Sequence, residues 1–177
     1  MNTKMAYFLS VVSLASCLLL PAIARADEGG ERHDSSGPGT FAFGVMLGEP
    51  LGLSVKQYIG RHAWDRGIGV GPGVRVHADY LVTLIALFGE HSASALDLYA
   101  GLGPLVGVYS GWCGRLYDTG RSCGDGGVFG GGRVPVGVDL RLPLPIDLAI
   151  EAAPGFAFAR GGAFFLIDAA LYVRLLF

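Results

Sequence analysis

Lysine is almost missing from this sequence: Lys4 and Lys56 are the only two in 177 residues. Charged residues of every kind make up 16% of the chain, against roughly 25% in a typical soluble domain. A wet exterior is normally covered with Lys and Glu, and this chain has too few of them for that. Basic runs are also missing, and the net charge is −2, so nothing supports a nucleic-acid surface. Beyond residue 26 no stretch of about 18 apolar residues occurs, which rules out a transmembrane helix there. The run Leu81–Phe88 (LVTLIALF) has only eight residues. Of the three cysteines none forms a Cys-x-x-Cys pair, so a zinc knuckle has no basis.

Apolar residues fill 51% of the chain, and there are 29 glycines. These glycines follow no G-X-Y period, which excludes collagen. Gly69-x-Gly71 and Gly101-x-Gly103 are not nucleotide loops, because no helix start follows either to cradle a phosphate.

The N-terminus reads as an address. Lys4 supplies a short positive region, and residues Met5 to Ala24 are almost wholly apolar or small. Ala24-Arg25-Ala26 is an A-x-A-type cleavage site ahead of the acidic Asp27, as in a cleaved secretory signal peptide over 1–26. Two other readings are an uncleaved anchor and a lipobox at Leu14-Ala15-Ser16-Cys17. The lipobox would leave the apolar stretch Leu18–Ile23 at the new N-terminus. Removing residues 1–26 takes away Lys4 and Arg25 and no acid, so the net charge moves from −2 to −4. Residues 27–39 (DEGGERHDSSGPG) are polar and rich in Gly, and read as a flexible leader.

From Thr40 the pattern has period two to the last residue, the signature of strands. The segments are Thr40–Leu47, Leu51–Ile59, Arg66–Gly71, Val74–Thr83, Ala95–Tyr109, Phe129–Leu142, Ile146–Phe158 and Phe164–Phe177. Between them stand turn-formers: Gly48-Glu49-Pro50, the loop Gly60–Asp65, Pro72-Gly73, Pro143-Leu144-Pro145 and Arg160-Gly161-Gly162. Longer connections cover 84–94 and 110–128. Arg66–Gly71 is the shortest of the eight strands, and most of the others reach the 9–11 residues or so that a tilted membrane strand needs.

Alternation does not say which face is outside. A soluble barrel is apolar inside, and a membrane barrel is the reverse. Three features favour the reverse. The polar face is mostly Gly, Ala and Tyr, too bare for a solvent surface. Its charges nearly balance: Lys56, Arg75, Arg133, Arg141 and Arg174 against Asp79, Asp97, Asp139, Asp147, Glu151 and Asp168. Such a set suits an enclosed network of ion pairs, because unpaired buried charge is costly. The last strand also runs to the final residue, Phe177, on the apolar face. The expectation is an all-β, eight-stranded antiparallel up-and-down transmembrane β-barrel over 40–177.

The sequences GVMLGEPLGLSVKQY (44–58), VRVHADYL (74–81), DLYAGLGP (97–104), GGRVPVGVDL (131–140), IEAAPGFAF (150–158) and LYVRLLF (171–177) resemble small outer-membrane barrels of the OmpA-like transmembrane type, in an uncharacterised branch. The resemblance spans roughly 41–177. It implies the bacterial outer membrane as compartment, and outer-membrane lipid, lipopolysaccharide and the barrel-assembly machinery as partners. Phe177 resembles the terminal aromatic that this machinery reads, while Leu175 departs from the Tyr often found there. The resemblance implies no reaction and no cofactor.

Arg75, His77 and Asp79 form the densest polar group. They read first as part of the interior network, and second as a proton-sensitive gate or small binding site. One His among carboxylates is weak support for metal, so no metal is expected. Trp112, Arg115, Tyr117 and Arg121 share the Gly-rich loop 110–128 and suit contact with a surface partner. An enzyme acting on membrane lipid would need Ser, His and acid together. His62 and His91 fall in connections and Ser54 lies beside no strand-borne His, so no enzyme is expected. The resulting expectation is a monomeric structural or surface-interaction barrel, with a narrow pore as the alternative and a lipid-modifying enzyme as a weaker one.

Cys113 and Cys123 lie in the same loop, and in an oxidising compartment they are expected to close it as a disulfide rather than stay free or bind zinc. A maleimide reagent applied to the exported chain should label these cysteines only after reduction. Full labelling without reduction would rule the disulfide out.

Overall fold

The computed structural model describes residues 40–71, 73–87, 95–109, 127–159 and 162–177. These residues are strand almost throughout, and no helix among them is long and apolar enough to cross a membrane. The strands are β1 (Phe41–Glu49), β2 (Leu51–Ile59), β3 (His62–Val70), β4 (Gly73–Ala86), β5 (Ala95–Tyr109), β6 (Gly127–Arg133), β7 (Val136–Arg141), β8 (Ile146–Ala159) and β9 (Gly162–Leu176). The expected signal peptide (1–26) and leader (27–39) lie outside the described residues.

Strands β1 to β5 pair antiparallel in sequence order, β6 and β7 each pair with both β5 and β8, β8 pairs with β9, and β1 also pairs β9 along Ala42–Glu49. The β4–β5 pairing completes a closed ring. The segments β6 and β7 are two parts of one strand. Both lie between β5 and β8, and the register carries through from Gly103↔Arg133 to Ala100↔Val136 without a shift. The interruption falls at Pro135, which has no N–H to give the ladder. The ladder otherwise continues across the gap, because Gly101 N–H donates to the Pro135 carbonyl at 2.8 Å and Val134 N–H to Pro154 at 2.8 Å. Counted this way the ring has eight strands, as the period-two pattern foretold.

Most boundaries shift by a residue or two, and two differ by more from the sequence reading. Strand β3 begins at His62, not Arg66, and the expected loop over 60–65 shrinks to a turn at Gly60-Arg61. Gly60 takes the left-handed conformation (φ 60°) that a two-residue hairpin turn requires. Strand β4 runs on to Ala86, with a register shift between Thr83 and Ile85 that keeps its last residues paired to β5.

The faces sort by size and charge. Phe43, Val45, Leu53, Leu102, Ile150, Phe158, Phe165 and Val173 point outward and are exposed, Ile150 to 69% and Leu102 to 66%. Inward positions carry most of the charged residues, the tyrosines Tyr58, Tyr99, Tyr109 and Tyr172, and many glycines. The glycines make room for long side chains on the adjacent strand. Gly137 sits opposite Tyr99 in the register, and a Cβ there would come within 2.5 Å of the tyrosine oxygen. Gly67 lies in the same way under His77. A narrow ring of eight strands needs this pairing of bulk with none.

The ring has two different ends. At one end lie Thr40, the Gly60-Arg61 turn, the β4–β5 connection, the Leu142–Pro145 turn and Phe177. At the other lie Pro50 and the strand ends that 71–72, 110–126 and 160–161 join in sequence.

The Gly–Tyr pairing gives a stability test. Gly137→Val should push Tyr99 off its position and cost about 1–3 kcal/mol, as overpacking does, seen as a lower urea midpoint in detergent. An unchanged midpoint would mean that the interior has slack at this level.

Candidate functional site

The most structured chemistry in the chain lies inside the ring. Strand alternation turns every second side chain inward, and eight strands bring their polar positions to one axis. Lys56, Arg75, His77, Asp79, Asp97, Arg133, Asp139, Asp147, Glu151, Asp168 and Arg174 are all buried there, and Arg141 is partly buried. Every one of the twelve residues expected in an interior network therefore faces inward, and they gather into two linked clusters.

The first cluster centres on Arg133, which is 1% exposed. Its Nε donates to Asp79 Oδ2 at 2.9 Å and its Nη2 to Glu151 Oε1 at 2.8 Å. Nη1 reaches Asp168 at 3.2 Å. A planar guanidinium can serve three carboxylates at once, where an ammonium would meet them only as a point charge. Arg75 joins through Asp168 at 2.9 Å. His77 Nε2 stands 3.8 Å from Asp79, which is beyond hydrogen-bond length. Within the Arg75–His77–Asp79 group, Arg75 and Asp79 are thus tied in through partners on other strands.

The second cluster centres on Arg174. It pairs with Asp65, donates to Asp147 at 3.1 Å and donates through Nε to Ser54 Oγ at 3.0 Å. Ser54 in turn donates to Asp65 at 2.7 Å. Lys56 pairs with Asp139 and lies over the Tyr99 ring, 4.6 Å from its centre. Tyr58 donates to both Asp139 (3.0 Å) and Asp147 (2.8 Å). At the mouth nearest the termini, Arg141 pairs with Asp97. Tyr99 and Tyr172 connect the clusters: both donate to Glu151, at 2.9 and 3.0 Å, while Tyr172 lies against the Arg174 guanidinium.

Asp65 is an interior acid that the sequence reading left in a loop. Its signal was the parity of Trp64 with Ile68, which puts Asp65 on the inward phase. With Asp65 included, Lys56, Arg75, Arg133, Arg141 and Arg174 face Asp65, Asp79, Asp97, Asp139, Asp147, Glu151 and Asp168. The carboxylates outnumber the cations. The hydroxyls of Ser54, Tyr58, Tyr99 and Tyr172 supply the further donors, a role that alternation of apolar and charged residues does not reveal.

Towards the other end the interior turns apolar. Leu105, Phe129, Ala157 and Leu166 form a buried cluster, with Tyr109 and Phe164 packed against it. The Phe129 and Phe164 rings meet edge-on at 5.8 Å. No group of three or more metal-binding side chains occurs among the described residues. His62 lies on the outer face of β3 at its first residue, not in a connection, and its Nδ1 is 2.9 Å from the Tyr80 hydroxyl. His91, the cysteine pair Cys113 and Cys123, and the loop residues Trp112, Arg115, Tyr117 and Arg121 lie outside the described residues. Phe177 is exposed, and its N–H donates to the Phe41 carbonyl at 2.8 Å.

Compared with family models, with curated proteins and with solved structures, the chain matches none.

The two clusters depend on their arginines. Arg133→Ala leaves Asp79, Glu151 and Asp168 short of a cation, and loss of one partner from a buried ionic group costs about 3–5 kcal/mol. Arg133→Ala should therefore unfold at distinctly lower urea than the parent. Equal midpoints would show that water replaces the guanidinium without penalty.

Proposed function

We propose that this chain is an exported protein of the bacterial outer membrane. In this reading the closed sheet is a transmembrane barrel with a structural or surface-interaction role. The observation that carries the proposal is the inversion of the sheet: large apolar side chains are exposed around the outside while charged ones fill the interior. In water such an exterior would be a contiguous apolar surface of the kind that monomeric soluble proteins avoid. In lipid it is the ordinary exterior of a barrel. The A-x-A-type site at 24–26 supports export. The resemblance to OmpA-like barrels points the same way.

A filled interior supports the structural role over a pore. Arg133 bridges β4, β8 and β9, Lys56 reaches Asp139 on β7, and Arg174 reaches Asp65 on β3. An apolar layer around Phe129 lies beyond these ion pairs. An ion would have to break charge-assisted bonds and then cross dry side chains. The residues offered to a partner, or to lipopolysaccharide, are Trp112, Arg115, Tyr117 and Arg121 in the 110–126 connection. In this topology that connection is on the outer side if both termini face the periplasm.

The chain purified from membranes should migrate faster unheated than boiled on a denaturing gel, and should give no conductance steps in a planar bilayer. The double variant Phe129→Gly/Arg133→Ser should conduct. A parent protein that is soluble and monomeric without detergent would overturn the membrane assignment. Regular conductance steps from the parent would replace the structural role by a pore.

A further inference from the structure

Arg66 stands where a membrane barrel should have no charge. On β3 the outward positions are His62, Trp64, Arg66, Ile68 and Val70. Arg66 is at the middle of this series, with Val55 and Ala78 beside it on the flanking strands. Among the described residues it is the one charged side chain on the outward face away from a strand end. No ion pair with a carboxylate holds it there; its side chain is half-buried, and its Nη1 is occluded without a hydrogen-bond partner, which leaves the rest of the guanidinium to meet a ligand. The guanidinium extends over Trp64, 5.9 Å from the ring centre, so it leans towards the end of the ring that carries the termini.

That end of the same face is aromatic and basic. Trp64 meets Tyr80 edge-on at 5.2 Å, and Tyr80 stacks on His62 at 5.5 Å. Arg61 sits exposed in the adjoining turn, with Nη2 3.4 Å from the Thr83 carbonyl. Trp and Tyr favour the level of the lipid headgroups, and a long basic side chain rooted in hydrocarbon bends its charge to that level. A guanidinium without a carboxylate partner is matched by the paired oxygens of a phosphate.

We propose that Arg66, with Arg61, Trp64 and Tyr80, binds the phosphodiester of an anionic glycerophospholipid. The acyl chains would lie along Val55, Leu53 and Ile68. The site rests on the membrane-barrel reading. The same topology puts it in the leaflet facing the termini, which commits it to a phospholipid rather than to the phosphates of lipid A. Charge complementarity selects this occupant: the patch has cations and no acid among the described residues.

The test uses Trp64 as its own reporter. Trp64 and Trp112 are the only tryptophans, so the full chain carrying Trp112→Phe is extracted from membranes and inserted into phosphatidylcholine vesicles. Quenching of Trp64 is then compared between brominated phosphatidylglycerol and brominated phosphatidylcholine at equal mole fraction and low salt. Phosphatidylglycerol should be enriched roughly fivefold at the site. The preference should vanish in Arg66→Met and Arg66→Gln and remain in Arg66→Lys. Heat-modifiable migration establishes that each variant is folded, and Met at a lipid-facing position is well suited to fold. Equal quenching by the two lipids, or a preference that survives loss of the charge, would overturn the site and leave the barrel in its membrane. No quenching by either lipid in a chain that floats with vesicles would mean that protein, such as a second copy, covers the patch. A chain that does not float would overturn the membrane reading itself.

Discussion

Arg133 holds the position on which the interior depends. Its three carboxylate partners come from β4, β8 and β9, while Arg133 itself ends β6. One guanidinium therefore ties four strands across the ring. Glu151, one of those partners, also accepts from Tyr99 and Tyr172, and Tyr172 lies against Arg174 at the head of the second cluster. The polar interior is a single connected system. In a low-dielectric enclosure such a system is favourable only when its members are served together. The order of assembly follows from this: adjacent strands supply Arg133–Glu151 and Arg174–Asp147, but ring closure completes the network, since Arg133–Asp79, Lys56–Asp139 and Arg174–Asp65 join residues 54, 83 and 109 apart in sequence.

The exterior imposes the opposite demand. There Leu, Val, Ile and Phe hold most of the outward positions. Glycine mediates between the two surfaces. Opposite a large inward side chain it adds no volume, as Gly137 does for Tyr99 and Gly67 for His77. This explains a composition that is otherwise hard to reconcile with stable strands, because Gly alone weakens a strand.

Much of this was legible in the residues. The period-two pattern gave the number of strands, and it gave the inward phase for all twelve residues of the expected network. What escaped had physical causes. The segment from Gly60 to Asp65 mixes Gly, Arg, His and Asp, and polarity masked an alternation in which Trp64 faces out and Asp65 in. Pro135 looked like any strand residue because its missing donor matters only once the neighbours are known. Ser54 and the tyrosines were visible as inward residues, but their role as donors arises from partners many residues away, and no local pattern encodes those. Arg66 was passed over as the first residue of a short strand, since its peculiarity is its phase relative to Trp64 and Ile68.

At the end of the ring away from the termini, β1–β2, β3–β4 and β8–β9 are separated by one or two residues in sequence, and β5–β6 by the longer stretch 110–126. Tight hairpins fix register and tolerate little change, whereas the entropy cost of a long connection grows slowly with its length. Variation at this end is therefore channelled into one segment. Descendants of this sequence could exchange it whole, altering what their surface presents while the strand pairing and interior chemistry stay as they are, much as a handle is changed on a tool whose shaft is kept.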